Sequence, residues 1–144
     1  MIRIHRSYPV EKNDFVKAGE VSSQIKKIMK QVGVKPGVIR KVSIAAYEAE
    51  MNIIIHSNGG CIEFSIDADM IRLTAKDQGP GIEDVEQAMK EGFSTATKDI
   101  RELGFGAGMG LPNIRRVSDD FKIESSAGRP TCLTLTFYHV DSEL

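Results

Sequence analysis

The repeat of apolar residues changes from helical to strand-like near His56, and this change limits the folds open to the chain. Before that point, two stretches place apolar side chains at three- and four-residue steps, as the buried face of an amphipathic helix requires. These residues are Ala18, Val21, Ile25, Ile28 and Val32 in the first stretch, and Val38, Val42, Ala45, Ala49 and Ile53 in the second. Pro36 suits the first turn of the second helix. We therefore predict two helices, the second running from Pro36 to about His56, preceded by a strand over residues 2–8.

Strand-like alternation dominates the rest of the chain. The stretches CIEFSID and MIRLTAKD carry apolar residues at every second position, and the Ala68–Asp69 turn between them predicts a hairpin. Short helices are predicted over residues 83–91 and 111–119, and two closing strands in FKIESS and TCLTLTFYHV. Helices and antiparallel strands in separate blocks predict an α+β fold, a two-layer α/β sandwich with a mixed, mainly antiparallel sheet covered on one face by helices. The order of the strands does not follow from these patterns.

The composition restricts the class of protein further. A chain of 144 residues fits one domain, which we expect to span residues 1–144. The formal net charge of −1 provides no basic excess for a phosphate backbone, so no nucleic-acid partner is expected. No stretch is long and apolar enough to cross a membrane, and Cys61 and Cys132 lack the spacing of a metal site. We therefore expect a cytoplasmic protein with no membrane partner.

Residues 92–109 form a long stretch without a clear period, and they end in closely spaced glycines at the start of a predicted helix. Compact domains rarely keep such a loop without a function, which indicates a lid, although a disordered insertion would give the same pattern. Free backbone N–H groups and the helix dipole at a helix start both favour an anion such as phosphate. The Rossmann and Walker motifs do not fit, because no strand precedes the glycines and no Lys-Ser or Lys-Thr pair follows them.

Glu48 and Asn52 stand four residues apart on the second predicted helix, so they project from the same face. Such a pair is often only a solvated polar face. Here residues 53–55 are all isoleucine, which makes this turn apolar nearly all round and favours a cleft. In a cleft, the carboxylate could activate a hydroxyl group and the amide could coordinate Mg²⁺. Glu50 points away from this face, and we expect it at the surface or facing a partner.

The stretch DQGPGI, residues 77–82, follows directly after a predicted strand. Gly-Pro-Gly after an aspartate is typical of a plain turn. A turn leaves a further role open for Asp77, whose carboxylate could accept a hydrogen bond from an exocyclic amine. Gly79 and Gly81 would let a flat ring lie against the backbone.

Three motifs in this order resemble the GHKL superfamily of ATP-binding domains, which includes gyrase, Hsp90, histidine kinases and MutL. EAEMN at residues 48–52 is similar to its N box, DQGPG at residues 77–81 to its G1 box, and GFGAGMGL at residues 104–111 to its G2 box. Within the superfamily the chain most resembles the free-standing anti-sigma-factor serine/threonine kinases of bacterial partner switching. The stretch MKEGFSTATKDIRELGFGAGMGLPNIRRVSDDF is especially similar to the switch-kinase branch that serves the stressosome. The resemblance implies the Bergerat fold, a two-layer sandwich of the kind predicted above.

The resemblance also implies ATP and Mg²⁺ as ligands and assigns roles by position. Glu48 would be the general base that orients the attacking hydroxyl, Asn52 the Mg²⁺ ligand, and Asp77 the acceptor of the adenine amino group. The other nucleotide-binding positions would be Gly79 and Gly81 beside the adenine, Gly106, Gly108, Met109 and Gly110 around the phosphates at the end of an ATP lid over residues 92–109, and Thr131, which would support the adenine contact through water. Pro130 departs from the family pattern, which has glycine before that threonine.

Three functions are compatible with this resemblance. The first is an ATP-dependent serine/threonine protein kinase that phosphorylates a STAS-type anti-sigma antagonist or scaffold protein, with a sigma factor or a PP2C-type phosphatase as a further partner. The second is a nucleotide-dependent binding switch that sequesters a sigma factor or activates a phosphatase without essential catalysis. The third, the catalytic half of a histidine kinase acting in trans, is disfavoured because no dimerisation helix with a phosphoacceptor histidine is visible. Anti-sigma kinases commonly dimerise, so a homodimer is also compatible with the sequence.

Overall fold

The computed structural model of the chain describes residues 4–79, 89, 110–125 and 130–139. In chain order its elements are strand β1 (Ile4–Val10), helices α1 (Glu20–Gln31) and α2 (Pro36–His56), strands β2 (Gly60–Ile66) and β3 (Met70–Asp77), helix α3 (Gly110–Val117), and strands β4 (Asp120–Glu124) and β5 (Cys132–Tyr138). Except for Met89, the predicted helix over residues 83–91 and the predicted lid over residues 92–109 lie outside the described residues. None of the described helices is both long and apolar enough to cross a membrane.

The five strands form one sheet in the order β1-β2-β3-β5-β4. All pairings among these strands are antiparallel. The predicted α+β sandwich is therefore confirmed, whereas the parallel pair that a mixed sheet requires does not occur in the described part of the chain. β5 comes last in the sequence but lies between β3 and β4, so the sheet is completed by a pairing between segments far apart in the chain.

The helices cover one face of the sheet, and the alternation along each strand decides which side chains face them. The buried strand residues include Ile62 and Phe64 in β2, Ile71 and Leu73 in β3, and Leu133 and Leu135 in β5. Residues between them point to the opposite face, where Lys76 Nζ and Glu63 Oε2 lie 3.7 Å apart. The removal of the apolar side chains from water is the main contribution that holds the helices on the sheet.

α1 and α2 form a helical hairpin whose short connection, residues 32–35, makes them antiparallel neighbours. Gly33 has a φ of 82°, a left-handed conformation that ends α1, and the Val34 N–H donates a hydrogen bond to the Met29 carbonyl at 3.0 Å. Pro36 occupies the first turn of α2, as predicted, because its missing N–H would have no partner there. The hairpin therefore places the N-terminus of α1 beside the second half of α2.

Candidate functional site

α2 and α3 meet where Glu48 and Asn52, the predicted polar pair on α2, lie next to Gly110 of α3. A Cβ atom added to Gly110 would lie 3.2 Å from Glu48 Oε2 and 3.2 Å from Asn52 Oδ1. Both side chains thus border one small space next to Gly110, as their four-residue spacing on α2 allows. A glycine at this point lets the backbone of α3 come closer to the two oxygen atoms than any other residue would.

Glu48 is half-buried between the two helices, and its surroundings favour the neutral acid. Desolvation by burial raises the pKa of Glu48 above its usual range, and a hydrogen bond that the Asn113 side-chain amide donates to the carboxylate lowers it in part. Gly110 and Asn113 are three residues apart, so they lie on the same face of α3. Sequence reasoning missed Asn113. The three-residue spacing from Gly110 was the available signal, but it has meaning only once α3 is known to pack on Glu48.

The start of α3 suits an anion. Gly110 is the first residue of α3 that the structure describes, and the sequence predicts that the helix starts close to it, after the closely spaced glycines; backbone N–H groups in the first turn of a helix have no partner inside it. The helix dipole adds a partial positive charge at the same place. Leu111, Pro112 and Ile114 are buried, so the helix is fixed to the core by its first turns. A phosphate group placed there would meet the backbone of α3 on one side and Asn52 on the other.

Asp77, at the end of β3, is held by one of its two carboxylate oxygens. Its Oδ1 accepts hydrogen bonds from the backbone N–H groups of Gly79 and Thr131, both at 2.8 Å. No hydrogen bond to Oδ2 occurs among the described residues. Among the described residues, these two bonds fix the orientation of the carboxylate and leave Oδ2 available to accept a hydrogen bond from an exocyclic amine.

Gly79 and Thr131 both lie against Asp77, although they are far apart in the sequence. Gly79 has a φ of 98°, a left-handed conformation that glycine adopts without strain. The Thr131 carbonyl accepts a hydrogen bond from the Asp77 N–H at 3.0 Å, and its hydroxyl lies 2.6 Å from Ser125 Oγ. Thr131 reaches Asp77 through its backbone, so the unusual Pro130 before it does not prevent the contact.

Backbone hydrogen bonds join the end of α2 to the turn that carries Asp77. The Asn58 N–H donates to the Gly79 carbonyl and the Gln78 N–H donates to the Gly59 carbonyl, both at 2.9 Å. Gly60 pairs with Asp77 in the sheet, and a Cβ on Gly60 would collide with the backbone of β3. Asn52 lies about one helical turn before His56, the last residue of α2. The backbone hydrogen bonds therefore tie the helix that carries Asn52 to the turn that carries Asp77.

Glu50 is buried, and the prediction that it lies at the surface or faces a partner was wrong. Its side chain is 2% exposed, because α1 packs against the side of α2 from which it projects. Desolvation raises the pKa of Glu50, while hydrogen bonds from the backbone N–H groups of Val21, Gly19 and Ser22 lower it in part. These groups form the N-terminus of α1, where the helix dipole favours a carboxylate. Oε1 of Glu50 has no hydrogen-bond partner among the described residues.

The described residues fit Mg²⁺ bound together with phosphate rather than by the protein alone. In the described ranges no group of three or more His, Cys, Asp or Glu side chains could hold a metal ion. Mg²⁺ commonly takes only one or two protein oxygens, with phosphates and waters completing its shell. Asn52 Oδ1 beside the start of α3 is consistent with that arrangement. The remaining predicted positions Gly81, Gly106, Gly108 and Met109 lie outside the described residues.

The fold and this site define an ATPase-like domain, and comparison with known proteins identifies the family. Residues 13–137 match the histidine kinase-like ATPase domain, and the chain belongs to that family. The resemblance to the GHKL superfamily, which rested on three short motifs, is thereby confirmed over most of the chain.

Two curated relatives are similar in sequence. The chain is 35% identical over 95 residues to the serine/threonine-protein kinase RsbT of Bacillus subtilis (strain 168), in an alignment covering 63% of this chain and 65% of that protein. It is 32% identical over 105 residues to an anti-sigma F factor of Thermoanaerobacter sp. (strain X514), covering 69% of this chain and 70% of that protein. The chain thus matches just under two thirds of the length of the Bacillus kinase.

Two solved structures share the fold at low sequence identity. The RsbU and RsbW domains of a Mycobacterium tuberculosis protein align with a TM-score of 0.61 at 17% identity, covering 95% of this chain and 32% of that chain. The SiaB–SiaC complex from Pseudomonas aeruginosa aligns with a TM-score of 0.54 at 12% identity, covering 94% of this chain and 89% of that chain. At these identities the comparison supports the two-layer sandwich and says nothing about activity.

Proposed function

We propose that this chain is a protein serine/threonine kinase that transfers the γ-phosphoryl group of ATP to a STAS-type antagonist or scaffold protein in a bacterial partner-switching pathway. The observation that carries the proposal is the meeting of Glu48, Asn52 and Gly110 in one small space. A carboxylate, an amide oxygen and a helix start are the groups needed to hold a hydroxyl, a metal ion and a phosphate side by side. Similarity to a protein named as a serine/threonine kinase supports the same reaction.

Each group has a distinct role in the proposed reaction. Glu48 orients the attacking hydroxyl of the partner and accepts its proton, and the raised pKa of this carboxylate makes it a stronger base. Asn52 holds Mg²⁺, which when bound neutralises charge on the phosphates. The N–H groups at the start of α3 bind the phosphates, together with Gly106, Gly108 and Met109 of the proposed lid over residues 92–109.

Asp77 gives the site its preference for adenine in this proposal. Its open Oδ2 accepts a hydrogen bond from the adenine amino group, while Oδ1 stays bound to the backbone of Gly79 and Thr131. Gly79 and Gly81 border the ring, where the absence of side chains leaves room for a flat group. Thr131, the residue before β5, supports the contact. Specificity and catalysis therefore rest on opposite ends of the nucleotide.

Nucleotide binding tests the first part of the proposal. In Asp77→Asn, one oxygen can still accept both backbone N–H groups, but the amide NH₂ then faces the adenine amino group, donor against donor. We expect calorimetry with Mg-ATP to show a Kd raised about 10- to 100-fold, the usual cost of an unmet polar group. Asp69→Asn in the exposed β2–β3 turn is the matched control and should bind like the wild type. Equal affinity in all three proteins would remove Asp77 from the site.

Phosphoryl transfer tests the second part. Glu48→Gln keeps the shape of the side chain but cannot accept a proton, so we expect it to bind Mg-ATP and to lose about 10²- to 10⁴-fold in kcat. The measurement is transfer of label from γ-labelled ATP to a purified STAS-type antagonist. Unchanged transfer by Glu48→Gln would refute the role of Glu48, and a wild type that binds no nucleotide at millimolar concentration would refute the enzyme.

Similarity to proteins named anti-sigma F factors favours a second candidate function, a nucleotide-dependent binding switch. In this case the nucleotide controls which protein is held, a sigma factor or a phosphatase for example, and catalysis is dispensable. The chain should then bind a partner with different affinity in ATP, in ADP and without nucleotide. Identical affinity in the three states would exclude the switch. A homodimer and a cytoplasmic location stay predictions from the sequence.

A further inference from the structure

A second concave surface lies on the other side of Glu48, along the α1–α2 hairpin. It is a groove of about 750 Å³ whose walls are one stripe from each helix, with Lys26 and Lys30 on α1 and Arg40 and Ile44 on α2. The groove begins at the helix connection and ends at Glu48. Along α2 from Pro36 to Glu48 this is roughly 18 Å, the length of five or six extended residues of a peptide. We name it the hairpin groove.

The hairpin groove lies in the basic part of an otherwise acidic chain. Residues 21–47 contain six of the 19 basic residues and none of the 20 acidic residues, so the rest of the chain carries 13 basic against 20 acidic. Lys26, Lys30 and Arg40 line the groove itself, and none of them forms an ion pair within the described part of the chain. A net charge of −1 for the whole chain conceals this local excess.

The floor of the hairpin groove is apolar and fixed. Ile44 and Tyr47 are each 37% exposed, and they are two of the four exposed large hydrophobic side chains in the described residues. Ser22 Oγ donates a hydrogen bond to the Ser43 carbonyl at 2.9 Å, which ties α1 to α2 beneath the groove. Ser43 Oγ is buried and has no hydrogen-bond partner among the described residues. Within the described residues, the groove thus offers apolar contact and unpaired cations along one path.

We propose that the hairpin groove binds an acidic segment of the phosphoacceptor protein and leads its hydroxyl to Glu48, an inference that rests on the proposed kinase function. Acidic side chains of the segment pair with Lys26, Lys30 and Arg40, and its apolar side chains pack on Ile44 and Tyr47. The groove ends at Glu48, the residue proposed to accept the proton of that hydroxyl.

The same features favour a protein segment over other acidic ligands. Glu48 places a carboxylate at one end of the groove, and the apolar floor suits the apolar side chains of a protein segment, which a sugar-phosphate backbone lacks. A hydroxyl group can approach the same carboxylate and donate a hydrogen bond to it. A second copy of this chain would bring a groove of the same positive sign, so groove-to-groove pairing is disfavoured.

The test compares two double variants that change the net charge equally. Lys26→Glu with Arg40→Glu reverses two charges that line the groove, and Lys27→Glu with Lys41→Glu reverses two exposed charges on the same helices outside it. The probe is a purified STAS-type antagonist. We measure its Kd without nucleotide, and its kcat and KM in Mg-ATP, for the wild type and both variants. Calorimetry with Mg-ATP alone checks the nucleotide site in each protein.

We expect the groove variant to raise Kd and KM for the antagonist roughly tenfold or more at low salt, with kcat and Mg-ATP affinity unchanged. The control variant should behave like the wild type. Equal effects of the two variants, or none from the groove variant, would overturn the inference. Preferential binding of an oligonucleotide or of phosphatidylserine vesicles, competing with the antagonist, would overturn it as well.

The outcomes separate this inference from the kinase proposal. An antagonist that binds through the groove but receives no phosphate would leave the docking inference standing and refute the kinase. Phosphorylation with the same KM in all three proteins would do the reverse. A wild type that neither binds nor phosphorylates the antagonist would overturn both.

Discussion

Gly110→Ala is the substitution that most directly tests how α2 and α3 share the candidate site. The added methyl carbon would lie 3.2 Å from Glu48 Oε2 and 3.2 Å from Asn52 Oδ1, a few tenths of an ångström closer than ordinary contact. Gly110 is not among the described glycines with positive φ, so alanine adopts its backbone conformation without strain. Among the described residues, the closest contacts of the added methyl group are therefore with these two oxygen atoms.

The effects on stability and on binding should differ. Crowding of this kind costs about 1–3 kcal/mol, and replacing glycine by alanine in a helix returns up to about 1 kcal/mol, so the net loss of unfolding free energy should be about 0–3 kcal/mol. Binding is less tolerant, because Mg²⁺ requires oxygen ligands at about 2.0–2.1 Å in near-ideal geometry. Displacing Asn52 Oδ1 should raise the Kd for Mg-ATP at least about tenfold, or about 1.4 kcal/mol.

Urea unfolding and calorimetry with Mg-ATP measure the two effects separately. Gly37→Ala is the control, because a Cβ at Gly37 would meet nothing within 4 Å. That variant should gain stability, by up to about 1 kcal/mol, and bind Mg-ATP like the wild type. Wild-type affinity and magnesium dependence in Gly110→Ala would refute the idea that Asn52 and the start of α3 hold the metal and the phosphates together.

Two further predictions follow from the titrating groups. Asn113→Ala removes the hydrogen bond that lowers the pKa of Glu48. The acidic limb of the plot of kcat against pH should therefore move to higher pH, while the affinity for Mg-ATP stays unchanged. A limb that does not move would show that Glu48 is not the base. Burial raises the pKa of Glu50 in the folded state, so the folded protein binds the carboxyl proton of Glu50 more tightly than the unfolded chain does. The folded protein therefore loses stability as the pH rises from 4.5, the ordinary pKa of this group, through its raised pKa in the folded state. Glu50→Gln removes this titration, and the unfolding free energy of the wild type minus that of the variant should fall across that window, by no more than about 1.4 kcal/mol per pH unit. Parallel curves would contradict a raised pKa.

The helices could be predicted from the sequence because their signals are local. The apolar spacing and Pro36 fixed α2 from Pro36 to His56, in agreement with the structure. The hairpin of β2 and β3 was equally local. The position of β5 between β3 and β4 was not predictable, because it depends on pairing between segments far apart in the chain, for which alternation within one strand contains no information.

The candidate site, too, could be predicted only where its signals are local in the sequence. Four-residue spacing was enough to put Glu48 and Asn52 on one face of α2. The same geometry predicted the direction in which Glu50 projects from α2, but not its neighbours. In the structure α1, rather than solvent, covers the Glu50 side chain. Asn113 was missed for a similar reason, since its contact with Glu48 exists only because α3 packs on α2. A helical pattern gives the direction of a side chain around its own helix axis, whereas the packing of the helices decides what that side chain contacts.

α2 separates the two surfaces that the proposed reaction needs, and this arrangement decides how they can be coupled. Glu48 borders the space next to α3 and also the end of the hairpin groove, so nucleotide and acceptor segment would approach one carboxylate from two sides. Glu50, two residues away, holds the N-terminus of α1 and thereby fixes one wall of the groove to the helix that carries Glu48. Because the wall and the base belong to one packed helical pair, losing contacts along the groove should weaken binding of the acceptor without moving the base. Charge changes in the groove should therefore act on KM, whereas Glu48 and Asn113 act on kcat.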